Sequence, residues 1–298
     1  SIVICTYNRE KYIGESLMSV CRQTFPTGKF ELLMVDNNST DNTKGQFAIV
    51  ASQYPDVQMR YVLEKEQGIS YARNRGISES KGTFIVFIDD DETIDDFYLQ
   101  RLDKYLDDYP DAQLGATPVL PVYETEKPKW ISHYTKRLIT GYYYLGDKVK
   151  LVKASDYPGT GHAIIKKELF EKFGDFNTEL GRKAKSLMGA EDKDMFLRLI
   201  ENGVPCYYFP DIPIYHHIPA EKLTDDFFHR LTYSIGKSER MRTKMISGKS
   251  YRKRLLAEIK KWIASFILFF VYIVVLSPSK GWKLLQFRWN VTKGLLGY

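Results

Sequence analysis

The amino-acid sequence predicts an α/β fold, with a mostly parallel sheet flanked by helices and a C-terminal helical tail that associates with a membrane. Three observations predict it. Short apolar runs alternate with helical stretches over about the first hundred residues, polar clusters directly follow those runs, and the C-terminal residues are basic and contain a long apolar run. Strands that alternate with helices indicate a parallel sheet covered by helices on both faces.

The predicted elements follow from the apolar periodicity. The predicted strands are SIVIC, ELLMVD, MRYVLE and TFIVFI, at residues 1–5, 31–36, 59–64 and 83–88. The predicted helices span residues 11–23, 42–54, 69–80, 191–203 and 224–246. Near residue 110 the regular alternation gives way to aromatic and Gly/Pro-containing stretches. We therefore predict a domain of residues 1–236 and a tail of residues 237–298.

Composition and charge narrow the class of protein. With 44% hydrophobic and 27% charged residues, the 298-residue chain is typical of a globular protein. Its three cysteines show no paired ligand spacing, which argues against a disulfide framework or structural zinc and favours a reducing compartment. From residue 237 onward the chain has 14 basic and two acidic side chains, a charge of +12, which leaves −6 for residues 1–236.

The basic tail contains the uncharged run WIASFILFFVYIVVL at residues 262–276. Fifteen helical residues span about 22 Å, less than the roughly 30 Å of a bilayer's hydrocarbon core. The run therefore predicts a monotopic, re-entrant or short spanning anchor, with Lys260, Lys261 and Lys280 near anionic headgroups. A buried core helix is the alternative. We expect a protein at the cytoplasmic face of a membrane, peripheral or monotopic, with the membrane surface and not nucleic acid as a partner.

Three polar clusters, TYNRE, DNNSTDNT and DDDE, follow the first, second and fourth predicted strands. In parallel sheets, ligands bind outside the carboxyl ends of the strands. In an extended chain Asp89 and Asp91 share a face while Asp90 points away. Two carboxylates near a diphosphate suit Mg²⁺ or Mn²⁺. Asp95, Asp96 and Glu92 are instead expected to be charges at a helix N-terminus.

Five motifs in fixed order resemble the inverting nucleotide-sugar transferases of glycosyltransferase family 2: SIVICTYNRE, VDNNSTDNT, GISYARNRGISESKG, FIDDDE and GAEDKDMFLRLIENG. The resemblance covers residues 1 to about 240. It implies the GT-A fold, with a nucleotide-binding half at residues 1–110 and an acceptor half at residues 111–236.

The resemblance also implies roles on the donor side. Asp91 binds the metal directly, and Asp89 contacts the ribose or the metal. Asp36 accepts a hydrogen bond from uracil or a related base, although residues 37–43 could equally be only a turn and a helix cap. The other residues implied in nucleotide binding are Thr6, Tyr7, Asn8, Arg9 (or Glu10), Arg73, Asn74 and Asp90.

On the acceptor side the resemblance makes Asp192 the general base and Glu191 a neighbour that positions it. A positioned carboxylate can contribute roughly 10² to 10⁴ in rate. By spacing alone, both acids could equally cap a helix.

Further expectations concern the metal shell and the sugars. His217, or alternatively His216, completes the metal shell or packs as a structural residue. Gly161 allows the backbone to approach the donor sugar, and His162 contacts a sugar although it departs from the small polar residue of relatives. The aromatic residues expected to stack on sugars, or else to lie in the core, are Trp130, Tyr142, Tyr143 and Tyr144.

The function predicted is metal-assisted transfer of a single sugar, from a nucleotide sugar that is expected to be a UDP-sugar, to a hydroxyl of a glycan or lipid-linked acceptor. The stretch QFRWN at 286–290 is similar to the QxxRW signature of processive synthases, but it has one residue between Gln286 and Arg288 instead of two. It therefore does not match that signature. Two alternatives stay open. A non-catalytic membrane-bound nucleotide or carbohydrate binder would be unaffected by Asp192→Asn. A sugar-phosphate nucleotidyltransferase would favour a Gly-rich loop near the N-terminus, where TYNREKYIG has only one glycine.

Overall fold

The computed structural model describes residues 1–182, 187 and 189–298. Over these residues the strands are β1 (Ile2–Thr6), β2 (Leu32–Asp36), β3 (Met59–Leu63), β4 (Phe84–Asp89), β5 (Glu92–Ile94), β6 (Leu114–Ala116), β7 (Val119–Tyr123), β8 (Lys150–Leu151), β9 (Ala163–Lys166), β10 (Cys206–Tyr208) and β11 (Ile214–Ile218). The helices are α1 (Ile13–Cys21), α2 (Thr43–Gln53), α3 (Ile69–Glu79), α4 (Tyr98–Asp108), α5 (His133–Thr140), α6 (Glu168–Phe173), α7 (Glu191–Glu201), α8 (Asp225–Ile246), α9 (Gly248–Val274) and α10 (Pro278–Leu296).

The described chain forms two compact units. The first comprises Ser1–Val122, Tyr143–Thr178 and Glu191–His217, and the second comprises Tyr123–Tyr142, Glu179–Ala190 and Ile218–Tyr298. The boundary predicted between residues 236 and 237 falls inside α8.

The first unit contains a sheet with the strand order β3-β2-β1-β4-β9-β6-β10-β8. The four strands predicted in the first hundred residues are confirmed, and they pair in parallel. Beyond them the sheet is mixed, because β9 runs antiparallel to β4 and β6, and β8 antiparallel to β10. The predicted α/β class with a mostly parallel sheet is therefore confirmed. A smaller sheet has the order β5-β11-β7.

Alternating side chains bury both faces of the large sheet. In β1, Val3 and Cys5 belong to one apolar cluster, whereas Ile2 and Ile4 belong to the other. The strands β2 and β4 divide in the same way. A strand buried on both faces has a continuous apolar sequence rather than an alternating one, as SIVIC and TFIVFI do.

The strand register brings the polar residues to one edge of the sheet. Thr6 is paired with Asp36 and Cys5 with Asp89, so the carboxyl ends of β1, β2 and β4 lie side by side. The alternation of apolar strands and helices thus places the loops that follow these strands next to one another.

The second unit is built from helices, with α10 packed against both α8 and α9. Gly236 of α8 and Gly294 of α10 each face the backbone of the opposite helix so closely that a Cβ atom would clash. Two ion pairs join the helices, Arg254 of α9 with Glu239 of α8 and Arg288 of α10 with Glu258 of α9. Within α8, Arg242 also pairs with Glu239, and within α9, Arg254 also pairs with Glu258. Among the described residues, no helix combines the length and the apolar composition that crossing a membrane requires.

Candidate active site

The loops after β1 and β2 are joined by hydrogen bonds. Asn8 N–H donates to Ser39 Oγ at 2.9 Å, and Thr40 N–H donates to Asn8 Oδ1 at 2.8 Å. Arg9 N–H donates to Thr43 Oγ1 at 3.0 Å. Asn8 adopts a left-handed φ of 54°, a conformation that asparagine tolerates better than most residues. Asn8 and Thr43 therefore hold the loops after β1 and β2 together.

Asp36 is buried at the end of β2, where 2% of its surface is exposed. Its Oδ1 accepts a hydrogen bond from Ser39 N–H at 2.8 Å, and its Oδ2 accepts one from the Tyr61 hydroxyl at 2.8 Å. Burial, followed by the hydrogen bond and charge of Asp36, raises the pKa of Tyr61 above its usual value, so this hydroxyl remains a donor. Each carboxylate oxygen can accept two hydrogen bonds, so Asp36 retains acceptor capacity for a base N–H.

The acidic tip is Asp89, Asp90 and Asp91. The strand β4 ends at Asp89, and Asp90 and Asp91 form a turn before β5. The alternation expected for an extended chain therefore does not continue past Asp89. Asp90 and Asp91 instead approach the same guanidinium, with Arg9 Nε 3.3 Å from Asp90 Oδ1 and Arg9 Nη2 3.6 Å from Asp91 Oδ2.

Burying the negative charges of the acidic tip so close together is unfavourable. Burial raises the pKa of Asp90 to about 7, the Arg9 cation opposes that shift, and Asp91 and Asp89 add to it. The prediction that Glu92 is a helix N-terminal charge is wrong, because Glu92 lies in β5, is 3% exposed and accepts a hydrogen bond from Asp89 N–H at 2.9 Å. Nearby Asp95 does precede α4, where it accepts a hydrogen bond from Phe97 N–H.

The two histidines of β11 point in different directions because adjacent side chains of a strand alternate. His216 Nε2 lies 3.3 Å from Asp91 Oδ1. His217 Nε2 lies 3.0 Å from Thr93 Oγ1. The structure therefore brings His216, the alternative candidate, next to Asp91. Within the described part of the chain, no group of three or more His, Cys, Asp or Glu side chains has the spacing of a metal site.

A second charged cluster is centred on Arg73 of α3, which is 5% exposed. Arg73 Nη1 donates to Asp192 Oδ1 at 2.7 Å and to Glu191 Oε1 at 3.1 Å. Arg73 Nη2 lies 3.9 Å from Asp89 Oδ1. Burial lowers the pKa of Arg73, but Asp192, Glu191 and Asp89 more than reverse this and raise it above its usual value. A fixed cation thus joins the acid at the end of β4 to the two acids that open α7.

The turn Gly159–His162 contacts Asp192 and Asp89. Thr160 Oγ1 donates to Asp192 Oδ1 at 2.5 Å. A Cβ atom on Gly161 would lie 2.5 Å from Asp89 Oδ2, so only glycine allows this approach. His162 uses both ring nitrogens within the turn region, with Nε2 accepting from Gly159 N–H at 2.8 Å and Nδ1 donating to Thr117 O at 2.9 Å. A contact between His162 and a sugar would have to replace one of these bonds.

The remaining predicted residues are held by other contacts. The side-chain amide of Asn74 bonds the backbone N–H and C=O of Phe176. In the second unit, the Trp130 ring packs edge-on against Phe228 at 5.4 Å. The three tyrosines expected to stack on sugars are engaged by Lys136 over the Tyr142 ring, by Asp156 O at the buried Tyr143 hydroxyl and by Asp147 at the Tyr144 hydroxyl. Tyr7 is half-buried. Sequence reasoning did not find Thr160, whose type and position carry no recognisable signal.

Comparisons with known proteins agree with this architecture. The sequence model of glycosyl transferase family 2 matches residues 1–174, more than half of the chain. The glucosyl-dolichyl phosphate glucuronosyltransferase of Haloferax volcanii is 26% identical over 205 residues, which are 67% of this chain and 63% of that protein. The poly(ribitol-phosphate) β-N-acetylglucosaminyltransferase TarS of Staphylococcus aureus is 31% identical over 109 residues, 37% of this chain and 19% of that protein. The chain thus spans less than two thirds of these relatives.

Two solved structures share the fold. A mannosyltransferase of Pyrobaculum calidifontis, in complex with GDP-Man and Mn²⁺, superposes with a TM-score of 0.66 at 19% identity, covering 99% of this chain and 86% of that one. S. aureus TarS 1–349 in complex with UDP superposes with a TM-score of 0.58 at 18% identity, covering 100% and 91%. The chain belongs to glycosyltransferase family 2, the GT-A-fold family of nucleotide-sugar transferases.

Proposed function

We propose that the protein is an inverting glycosyltransferase that moves one sugar from a UDP-sugar to a hydroxyl of a glycan or lipid-linked acceptor, with Asp192 as general base. The observation that carries this proposal is the arrangement around Arg73. Its guanidinium lies 2.7 Å from Asp192 Oδ1 and 3.9 Å from Asp89 Oδ1, so an acceptor-side acid and a donor-side acid share one cation.

On the donor side, Asp36 accepts the base N–H, and the bonded loops after β1 and β2 form the floor beneath the nucleoside. Asp89 contacts the ribose or the metal. The relatives of known structure were solved with UDP in one case and with GDP-Man in another. Guanine also presents an N–H to a carboxylate, so the test below includes GDP-sugars beside UDP-sugars.

The residues at the acidic tip fit a divalent cation. Asp91 Oδ1 and His216 Nε2, 3.3 Å apart, supply one carboxylate and one imidazole ligand. Mg²⁺ and Mn²⁺ bound beside a nucleotide take only one or two protein side chains and complete their shells with phosphate oxygens and water. When bound, the ion would neutralise the charge that develops on the leaving diphosphate.

On the acceptor side, Asp192 takes the proton of the acceptor hydroxyl as its oxygen bonds to the anomeric carbon. The bond from that carbon to the diphosphate oxygen breaks on the opposite side, so the configuration inverts and the nucleoside diphosphate leaves with the electron pair. The side chain of Asp192 is 31% exposed, whereas that of Glu191 is 5% exposed. Exposure suits Asp192 for contact with an acceptor, and burial suits Glu191 for holding Arg73.

The test is hydrolysis of a panel of UDP-, GDP- and dTDP-sugars, with Mn²⁺ present and water taking the place of the acceptor. We expect Asp91→Asn to abolish the turnover that depends on Mn²⁺. We expect Asp192→Asn to lower kcat about 10²- to 10⁴-fold while UDP affinity is retained. Asp194→Asn, two residues further along α7, is the matched control and should behave as wild type. Turnover of a GDP-sugar alone would overturn the choice of base. Equal activity of Asp192→Asn and wild type would overturn the catalytic assignment.

We also propose that α9 lies in the surface of an anionic membrane. Six exposed apolar residues of α9 form a stripe at helical spacing, each between 47% and 63% exposed: Leu256, Ile259, Ile263, Phe266, Ile267 and Phe270. Residues at such spacing occupy a single helix face. Glu258 is the one acidic residue in the sequence of α9, and it is 3% exposed and paired with Arg254 and Arg288.

The charges of α9 favour a lipid surface over a second copy of the chain. Arg252, Lys253 and Lys260 are exposed on the same helix, and no acidic side chain of α9 is exposed to balance them. Two copies meeting through this helix would bring like charges together, whereas anionic headgroups attract them by about 1 kcal/mol for each basic residue. A protein held at this surface would meet lipid-linked acceptors there.

Sedimentation with vesicles tests the membrane proposal. We expect binding to vesicles that contain phosphatidylglycerol and little binding to pure phosphatidylcholine. Deleting α10 or its neighbours would uncover the packed face of α8, so point substitutions are the cleaner test. Ile267→Glu should weaken binding, while Leu151→Glu, an equally exposed apolar position in the first unit, should not. Binding that Ile267→Glu leaves unchanged would overturn the proposal.

A further inference from the structure

Thr160 contacts the proposed base directly. Thr160 is fully buried, and it meets the Asp192 carboxylate at two points. Its Oγ1 donates to Oδ1 at 2.5 Å, and its backbone N–H donates to Oδ2 at 3.3 Å. Arg73 Nη1 donates to the same Oδ1 at 2.7 Å. A carboxylate held through both oxygens cannot rotate about its own axis without losing a hydrogen bond.

The turn that carries Thr160 is itself locked. Because Gly159 N–H needs an acceptor and Thr117 O needs a donor, the His162 ring is neutral and carries its proton on Nδ1. The ring is 5% exposed and lies 4.7 Å, centroid to centroid, from the buried ring of Tyr143. The next residue after Thr160, Gly161, abuts Asp89. One locked turn therefore touches the donor-side acid and the acceptor-side acid at adjacent residues.

We propose that the turn Gly159–His162 is a positioning element for the transfer reaction: Thr160 fixes the orientation of the Asp192 carboxylate, and His162 fixes Thr160. This inference rests on the proposed role of Asp192 as the base. Thr160 and His162 touch neither donor nor acceptor in this scheme, so they are positioning residues. The proposal replaces the expectation that His162 contacts a sugar.

The chemistry explains why a hydroxyl is used here. A threonine hydroxyl can donate to a carboxylate without adding charge, so the base keeps its negative charge while its direction is set. Misplacing a reacting group by about 1 Å can cost on the order of 10²-fold in rate. Loss of a donor also raises the pKa of the carboxylate it served, because the hydrogen bond favours the charged form.

The experiment compares Thr160→Val, which keeps the shape and removes the hydroxyl, with Thr160→Ser, which keeps the hydroxyl. For each we would measure kcat, KM, UDP affinity, melting temperature and the pH dependence of donor hydrolysis. We expect Thr160→Val to lower kcat by about 10²-fold with UDP affinity unchanged, and to move the acidic limb of the pH profile to higher pH. Thr160→Ser should restore most of kcat and the original limb.

Other outcomes distinguish this proposal from the proposed function. An unchanged kcat or an unmoved pH profile in Thr160→Val would overturn the positioning role, as would a Ser variant as impaired as the Val variant. If Thr160→Val fails to fold, His162→Phe tests the same element, since it keeps a ring against Tyr143 and should lower kcat with UDP affinity retained. The role of Asp192 is tested separately, because Asp192→Asn with wild-type activity would sink the proposed function whatever Thr160 does.

Discussion

Replacing Gly161 with alanine should damage activity while sparing the fold. The new Cβ would lie 2.5 Å from Asp89 Oδ2 and 2.6 Å from Asp89 Cγ, whereas ordinary contacts begin near 3.4 Å. The carboxylate would therefore have to move by about 1 Å, a displacement that can cost on the order of 10²-fold in rate. A factor of 10² corresponds to about 2.7 kcal/mol in the barrier. Because the Asp89 side chain is 48% exposed, it can move without disturbing the core.

The assay is donor hydrolysis with titrated Mn²⁺, together with thermal unfolding. We expect Gly161→Ala to lower kcat/KM about 10²-fold and to change the free energy of unfolding by less than about 1 kcal/mol. The matched control is Gly28→Ala, since a Cβ there has no atom within 4 Å. Wild-type kcat/KM in Gly161→Ala would refute the reasoning, because Asp89 would then tolerate displacement. A large fall in melting temperature would refute the claim that only Asp89 has to move.

Three further results are expected. Glu258→Gln should lower the free energy of unfolding by about 3–5 kcal/mol in urea titrations, because it removes the carboxylate charge that pairs with the buried guanidinium of Arg288, while the exposed Glu221→Gln should have little effect. An unchanged urea midpoint for Glu258→Gln would contradict this. The three cysteines are buried, and burial raises the pKa of each thiol to about 12: Cys5, Cys21 and Cys206. None of them should therefore react with Ellman's reagent at pH 8 in the native protein. Rapid labelling of any of them in the native protein would contradict this. Ile267→Glu should weaken binding to anionic vesicles at least tenfold, about 1.4 kcal/mol, since it places a charge on the apolar stripe of α9.

The strands β1, β2 and β4 could be predicted because burial on both faces makes them continuous apolar runs between helical patterns, whereas the edge strand β3 is only partly buried. The carboxyl ends then had to meet, and Asp36 and Asp89 do lie at one edge. The later strands are shorter, and β8 has two residues, so no periodicity could reveal them. The acidic stretch around Glu92 instead predicts a charge at a helix N-terminus. The burial of Glu92 depends on Asp89 N–H and on pairing with β11, more than a hundred residues away.

The apolar run in the tail shows a different limit of sequence reasoning. Its composition suits both a buried helix and a membrane-facing one, and the choice depends on which face α10 covers. Arg288 of α10 reaches Glu258 of α9 at 3.0 Å and fixes that face toward the helical core, which leaves the stripe from Leu256 to Phe270 exposed. Burial lowers the pKa of Arg288, the charge of Glu258 opposes this, and Arg254 adds to the lowering. In the stretch QFRWN, Arg288 is thus part of a buried ion pair.

The site could be predicted by residue type but not by connection. Asp192 is 119 residues from Arg73 and 32 residues from Thr160 in the sequence. The local sequence around each of these residues does not indicate that they are in contact. A carboxylate that opens a helix looks the same whether it caps that helix or receives a proton. What separates the two roles is the set of donors that reaches it from other elements: a cap is served by its own helix, whereas Asp192 is held by α3 and by the turn before β9. That difference exists only in three dimensions, and the Thr160 variants are designed to measure it.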